Sequence, residues 1–240
     1  DLEAIEIFDN LVNCFKIGSG DITYLQLLKK ISETKKPVIL STGASTMDEI
    51  EEAVKILDLG TQDICIMQCN TNYTGSIKNI NYQNLNVLKT FQKKWPKLIL
   101  GLSDHTAGHS SVLGAISFGA RIVEKHFTDD NSRNGPDHSF SMNPESWRLM
   151  VESARELESS LGIYEKKVEE NEKETVVVQR RSIRLKFSKK TDEIIELTDL
   201  EFLRPCPENS FNPMDTNKIV GKKLVRDKKK GEEIYPEDLS

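Results

Sequence analysis

The sequence predicts an α/β fold: a TIM-type (β/α)8 barrel whose N-terminal units lie outside the chain, followed by a small C-terminal β-rich domain. Three observations predict it. Between residues 12 and about 162, short apolar runs alternate with amphipathic stretches, a pattern that requires parallel strands joined by crossover helices. The runs are apolar on both faces, yet nearly every one ends in polar, chemically useful residues: Lys16, Ser19, Ser41, Thr42, Asn70, Asn72, Ser103, His105 and His126. A barrel collects its active site from the C-terminal ends of many strands. A doubly wound sheet would concentrate function at one switch point, and the glycine fingerprint for a dinucleotide does not occur.

The strand runs, in order, are VNCFKIGSG (12–20), PVILSTG (37–43), ICIMQCN (64–70), KLILGLSDHT (97–106) and ARIVEKHFT (120–128). Of the helical stretches between and after them, TMDEIEEAVKIL (46–57) has Thr46 as N-cap and acids in its first turn. NPESWRLMVESARELESSLG (143–162) has Asn143 as N-cap, Pro144 at the first helical position and Gly162 as terminator. At roughly 30 residues per unit, about three of the eight are expected to precede Asp1. They would carry further substrate residues. The barrel portion is assigned to residues 1–163, a charged linker to 164–178 and the small domain to 179–240. In that last segment KKTDEIIELTDL (189–200) echoes KKKGEEIYPEDL (228–239) at an offset of 39, so Ile195 matches Ile234 and Asp199 matches Asp238.

Composition excludes several classes. A formal charge of −5 argues against a nucleic-acid or membrane-surface protein. No apolar run approaches the ~18 residues that span a bilayer, and no signal peptide occurs. Cys14, Cys65, Cys69 and Cys206 lack zinc-site spacing and suit reduced thiols, which places the chain in the cytoplasm.

Four histidines, His105, His109, His126 and His138, fall within 34 residues of a 240-residue chain. His105 and His126 close consecutive strands, so a barrel presents both imidazoles at one rim. Two imidazoles with open positions suit a catalytic Mn²⁺, Zn²⁺ or Fe²⁺; simple rim hydrogen bonding is the alternative. His109, at a helix start, reads as structural. Lys16 stands in an apolar strand and must face a polar cavity or bear a desolvation cost. With Ser19, Ser41 and a helix opened by Asp21 it suggests an anion site, against a Schiff-base lysine as the other reading. Asp137, in the Gly-Pro turn of NGPDHSFSMNP (134–144), is either a general acid/base or an ordinary turn residue.

The strings FKIGSGD, PVILSTGAS, GLSDHTAGH, GARIVEKHFTDD, GPDHSFSMNP, RRSI, LRP and GKKLVRDKKKGEEIYPEDL together resemble the sialic acid (N-acetylneuraminate) synthase family over nearly the whole chain. The resemblance implies a TIM barrel with a C-terminal SAF (antifreeze-like) domain, in a homodimer formed by swapping that domain. It implies condensation of phosphoenolpyruvate with an N-acetylmannosamine-type aldehyde and release of phosphate. His105 and His126 then correspond to the ligands of a divalent metal, usually Mn²⁺, with Mg²⁺ or Co²⁺ as alternatives. Lys16, Ser19, Ser41, Asn72 and Ser103 correspond to phosphoenolpyruvate-binding residues, and Tyr73 to a further substrate-binding residue. Lys16, Asp21 and Asp137 correspond to groups at the reacting centre, and Arg204 to an arginine that meets the sugar's acyl group in the partner's site. N-acetylneuraminic, legionaminic and pseudaminic acid synthases share these motifs, so the acceptor sugar stays open. A Schiff-base lyase and a non-catalytic binding module are the rival readings.

Overall fold

The computed structural model describes residues 1–58 and 63–240, in two compact units, Asp1–Ile163 and Tyr164–Ser240. The first unit opens with α1 (Leu2–Phe8), capped by the Asp1 carboxylate, which accepts from Ala4 N at 2.8 Å. Strands and helices then alternate: β1 (Phe15–Ile17), α2 (Leu25–Glu33), β2 (Val38–Ser41), α3 (Met47–Asp58), β3 (Ile64–Cys69), α4 (Val87–Lys94), β4 (Ile99–Asp104), α5 (Ser110–Ser117), β5 (Ala120–Lys125) and α6 (Pro144–Leu161). Each strand is shorter than its apolar run, because the polar ends peel off into loops.

The caps follow from local chemistry. The Thr46 amide donates to Glu49 Oε2 at 2.7 Å and Glu49 N donates back to Thr46 Oγ1 at 3.4 Å, a reciprocal box that starts α3. Asn143 and Ser146 form another at α6, with Pro144 in the first turn and Gly162 at φ 58° just past the end. One expectation is corrected. Asp21 does not open a helix: it closes a single 3-10 turn, Ser19–Asp21, and α2 begins four residues later at Leu25.

The five strands among the described residues are parallel and lie in chain order, β1-β2-β3-β4-β5. That order is the wall of a barrel, incomplete here; a doubly wound sheet reverses direction partway. Alternation along each strand sends one set of side chains toward the helices. Ile17, Leu40, Ile66 and Leu102 are at most 2% exposed and join Leu28, Leu57, Leu88, Phe91 and Ala115 in the main core. Burying each Leu or Ile contributes about 1.5–3 kcal/mol over leaving it exposed. The opposite face carries Lys16, Ser41, Cys69, Ser103 and Glu124. Gly101 sits among them because a Cβ there would come within 2.9 Å of Cys65 Sγ, Met67 Cγ and Ile122 O.

In the second unit, part of the expected linker is helical: α7 spans Lys173–Gln179. Then β6 (Ser182–Leu185) pairs antiparallel with β7 (Leu200–Leu203), and a short α8 covers Thr216–Ile219. Ile183, Leu185, Ile195, Leu200, Ile219, Leu224 and Ile234 form its own core. The 39-residue echo is structural. Lys189 and Lys228 exchange backbone hydrogen bonds, 2.9 Å in each direction, and each sends its ammonium to the matching carboxylate 10 residues on. Both ion pairs, Lys189–Asp199 and Lys228–Asp238, measure 2.7 Å.

Candidate active site

Three inward residues meet across the sheet. Ser103 Oγ on β4 donates to Glu124 Oε1 at 2.9 Å, and Lys16 Nζ on β1 lies 3.2 Å from Glu124 Oε2. Strands β1 and β5 are opposite edges of the sheet, about 19 Å apart were it flat. That is beyond the combined reach of a lysine and a glutamate, so the sheet curls around this face. Glu124 was not singled out in the sequence. Its signal was available: an acid in an apolar strand, two residues before His126 and therefore on the same face.

His105 follows the last residue of β4 and His126 the last residue of β5. Their ring centroids are 4.9 Å apart, and Tyr73, from the loop after β3, sits edge-on to both at 4.5 and 5.5 Å. His105 Nδ1 faces Cys69 Sγ at 3.8 Å, and His126 Nδ1 faces Asp137 Oδ2 at 3.3 Å. Burial lowers the pKa of both rings, and for His126 the neighbouring His105 adds to the shift. Both are therefore neutral at pH 7, the state a metal ligand needs. A carboxylate on the far nitrogen, as Asp137 provides, orients and strengthens such a ligand. Among the described residues no group of three or more His, Cys, Asp or Glu side chains converges for ligation. The residues that could hold an ion are the two adjacent neutral imidazoles, His105 and His126. Burial raises the Tyr73 pKa, with Cys69, Asp137 and Glu124 adding to it, so the phenol keeps its proton.

Asp137 reaches His126 because its loop folds back on the end of β5. Met142 N donates to His126 O at 2.9 Å and Thr128 N to Met142 O at 2.8 Å. His138 Nδ1 pairs with Thr128 Oγ1 at 2.7 Å, Asn131 Nδ2 donates to the His138 and Ser141 carbonyls, and Ser141 Oγ donates to Asp137 O. His138 braces the loop, and His109 sits at the N-cap of α5 with no side-chain cap bond.

Of the remaining candidates, Ser19, Ser41 and Asn72 lie at or just after strand ends of the first unit. Ser19 Oγ accepts from Gly43 N at 2.9 Å, stitching the end of β1 to that of β2. Gly43 has no room for a side chain, since a Cβ would collide with Thr71 Oγ1. Ser41 is buried against Met67 Sδ, 3.8 Å from its hydroxyl. Asn72 Oδ1 is taken by Thr74 N, Thr74 Oγ1 and Asn79 Nδ2, so only its amide N–H groups are open to an anion. Asp21 lines, with Lys16, a cavity of about 330 Å³ on the α1 side. Arg204 belongs to the second unit, at the end of β7, where Nε donates to Gln179 O. No helix among the described residues is long and apolar enough to cross a membrane.

The family model described as NeuB family matches residues 1–166. An uncharacterized protein of Methanocaldococcus jannaschii is 37% identical over 241 residues, covering 100% of this chain and 70% of the relative. The N,N'-diacetyllegionaminic acid synthase of Campylobacter jejuni is 34% identical over 238 residues, covering 98% of this chain and 70% of that one. Among solved structures, the N-acetylneuraminic acid (sialic acid) synthetase of Leptospira borgpetersenii, in complex with citrate, superposes with a TM-score of 0.67. It is 29% identical and covers 73% of this chain and 61% of its own.

Proposed function

The chain belongs to the NeuB family, and on that premise we propose that it condenses phosphoenolpyruvate with an N-acetylmannosamine-type aldehyde and water, giving a sialic-acid-like nonulosonic acid and phosphate. The observation that carries the reading is the convergence of Lys16, Ser103 and Glu124 on one side and the neutral pair His105 and His126 on the other. One half suits an anionic enol phosphate and the other an aldehyde oxygen.

Lys16 and Ser103 bring an ammonium and a hydroxyl to the phosphoryl group, with Ser19, Ser41 and the Asn72 amide as further donors on neighbouring strand ends. Holding both reactants at strand ends converts a bimolecular encounter into a positioned one. His105 and His126 would hold a divalent ion, Mn²⁺ in the first instance and Mg²⁺ or Co²⁺ as alternatives; such an ion supplies Lewis-acid polarisation of the aldehyde oxygen. Carbon 3 of the enol then attacks the aldehyde carbon, the carbonyl π pair moves onto the aldehyde oxygen, which takes a proton, and water adds at the electron-poor C2 with loss of a proton. The resulting tetrahedral centre loses phosphate as the ketone forms. Asp137, whose carboxylate is 3.3 Å from His126 Nδ1, is assigned the role of orienting that ring and exchanging a proton with the sugar oxygen. Glu124, bonded to Lys16 and Ser103, is assigned as the base that takes the proton released by that water. Asp21 is assigned the supporting acidic role beside Lys16.

Residues 179–240 are read as an SAF domain, supported by their internal β repeat. In a domain-swapped homodimer Arg204 would meet the acyl group of the partner's sugar. Four free cysteines fit a reducing, cytoplasmic setting. A 6-deoxy diacetamido acceptor is the second reading, favoured by the match to the legionaminic acid synthase over 98% of this chain. Phosphate release from phosphoenolpyruvate with Mn²⁺, each amino sugar offered separately, tests both. Release dependent on one sugar identifies the acceptor, and release with none sinks the condensation.

A further inference from the structure

We propose that the buried Asp104–Lys125 ion pair is a positioning device that sets the separation of His105 and His126 and thereby the affinity for a divalent cation. The proposal rests on the metal reading of those histidines given above. Asp104 and Lys125 are register partners at the ends of β4 and β5, each immediately preceding one of the two histidines. Alternation turns their side chains to the helix-facing side of the sheet, away from Ser103 and Glu124. There they are 0% and 1% exposed, and Lys125 Nζ lies 2.7 Å from Asp104 Oδ2.

The pair closes a ring around His105. Lys125 Nζ also donates to Thr106 O at 2.7 Å, while Asp104 Oδ1 accepts from Thr106 N and Thr106 Oγ1, both at 2.8 Å. Thr106 Oγ1 and Ser111 Oγ, 3.5 Å apart, link the ring to the first turn of α5. Residues on both sides of His105 are thus tied to the residue that immediately precedes His126. Stability alone gives no reason for two full charges here, since a buried ion pair is commonly replaced by neutral groups without loss. Geometry does: a two-imidazole site must be held to within about 0.5 Å.

The test measures Mn²⁺ affinity by calorimetry, and the absorption bands of bound Co²⁺, in four proteins: the parent, His105→Ala, Thr106→Val and the neutral double variant Asp104→Asn/Lys125→Met. The double variant should fold and lose about tenfold or more in Mn²⁺ affinity, with altered Co²⁺ bands. A folded double variant with parental affinity and bands overturns the positioning role. If that variant does not fold, Thr106→Val decides: a several-fold loss of affinity at unchanged melting temperature supports the proposal, and parental affinity overturns it. A parent that binds no Mn²⁺, or binds it equally after His105→Ala, removes the metal reading itself, an outcome separate from failure of the ion pair alone.

Discussion

Lys16 Nζ and Glu124 Oε2, on opposite edges of a five-stranded sheet, are 3.2 Å apart. The contact joins fold to chemistry: it exists only because the sheet curls, and it places an acid and a base where strand ends converge.

Both partners are more than a third exposed, so this pair contributes at most about 1 kcal/mol to folding. Glu124→Gln should therefore leave the melting temperature nearly unchanged. As a group that moves protons, Glu124 should matter far more to turnover, with kcat falling about a hundredfold or more. Steady-state kinetics beside a thermal melt separates the two. A large melting shift with little loss of kcat would make Glu124 a structural residue only.

Burial lowers the pKa of His105 and His126 below the unfolded value of about 6.5. Between the two values the unfolded chain binds more protons than the folded one, so stability rises with pH there. In a chelator, the urea midpoint should fall as pH drops from 7.5 through 6.5 to 5.5, and His126→Gln should flatten the slope. A midpoint constant over that range would contradict the burial of the rings.

Gly43 is fixed by crowding. A Cβ would strike Thr71 Oγ1 and approach Ser19 Oγ to 2.9 Å and Cys69 Sγ to 3.0 Å. Gly43→Ala should cost about 1–3 kcal/mol by overpacking. Thr71→Ala in the same chain should recover part of it. Denaturant titration of the single and double variants measures the recovery, and equal stability of the two would show that Thr71 is not the obstacle.

What could be read in advance was what depends on short spacing. Lys16 stood out because a charge interrupts an apolar strand, and Asn143, Pro144 and Gly162 marked α6 because capping is local chemistry. Glu124 obeys the rule that exposed Lys16, but the run Glu124-Lys125-His126 presents three polar residues to a strand that sorts them onto alternate faces. Asp137 was visible as either a general acid/base or an ordinary turn residue, with no partner assigned to it. Its approach to His126 depends on Met142 folding back across the end of β5, a contact between chain segments that no local pattern encodes. Asp21 sits in a single turn too short for helical periodicity to resolve.

The two halves of the second unit carry the same ion pair at different depths. Asp238 is 0% exposed and accepts from Lys228, Arg226 and Tyr235 N, whereas Asp199 is 16% exposed and accepts from Lys189 and Glu196 N. Burial opposes ionisation of both carboxyls, yet their hydrogen bonds outweigh it, led by those from Lys228 and Lys189, and both pKa values are lowered. Removing Asp238 strands a lysine only 8% exposed, and removing Asp199 one that is 17% exposed. An uncompensated buried charge costs about 3–5 kcal/mol, and partial hydration reduces that sharply. Asp238→Ala should therefore destabilise the protein by several times as much as Asp199→Ala, despite their equivalent places in the repeat. Urea unfolding followed by far-ultraviolet circular dichroism compares them; equal losses would mean that the repeat's symmetry, not burial, sets the contribution of each pair.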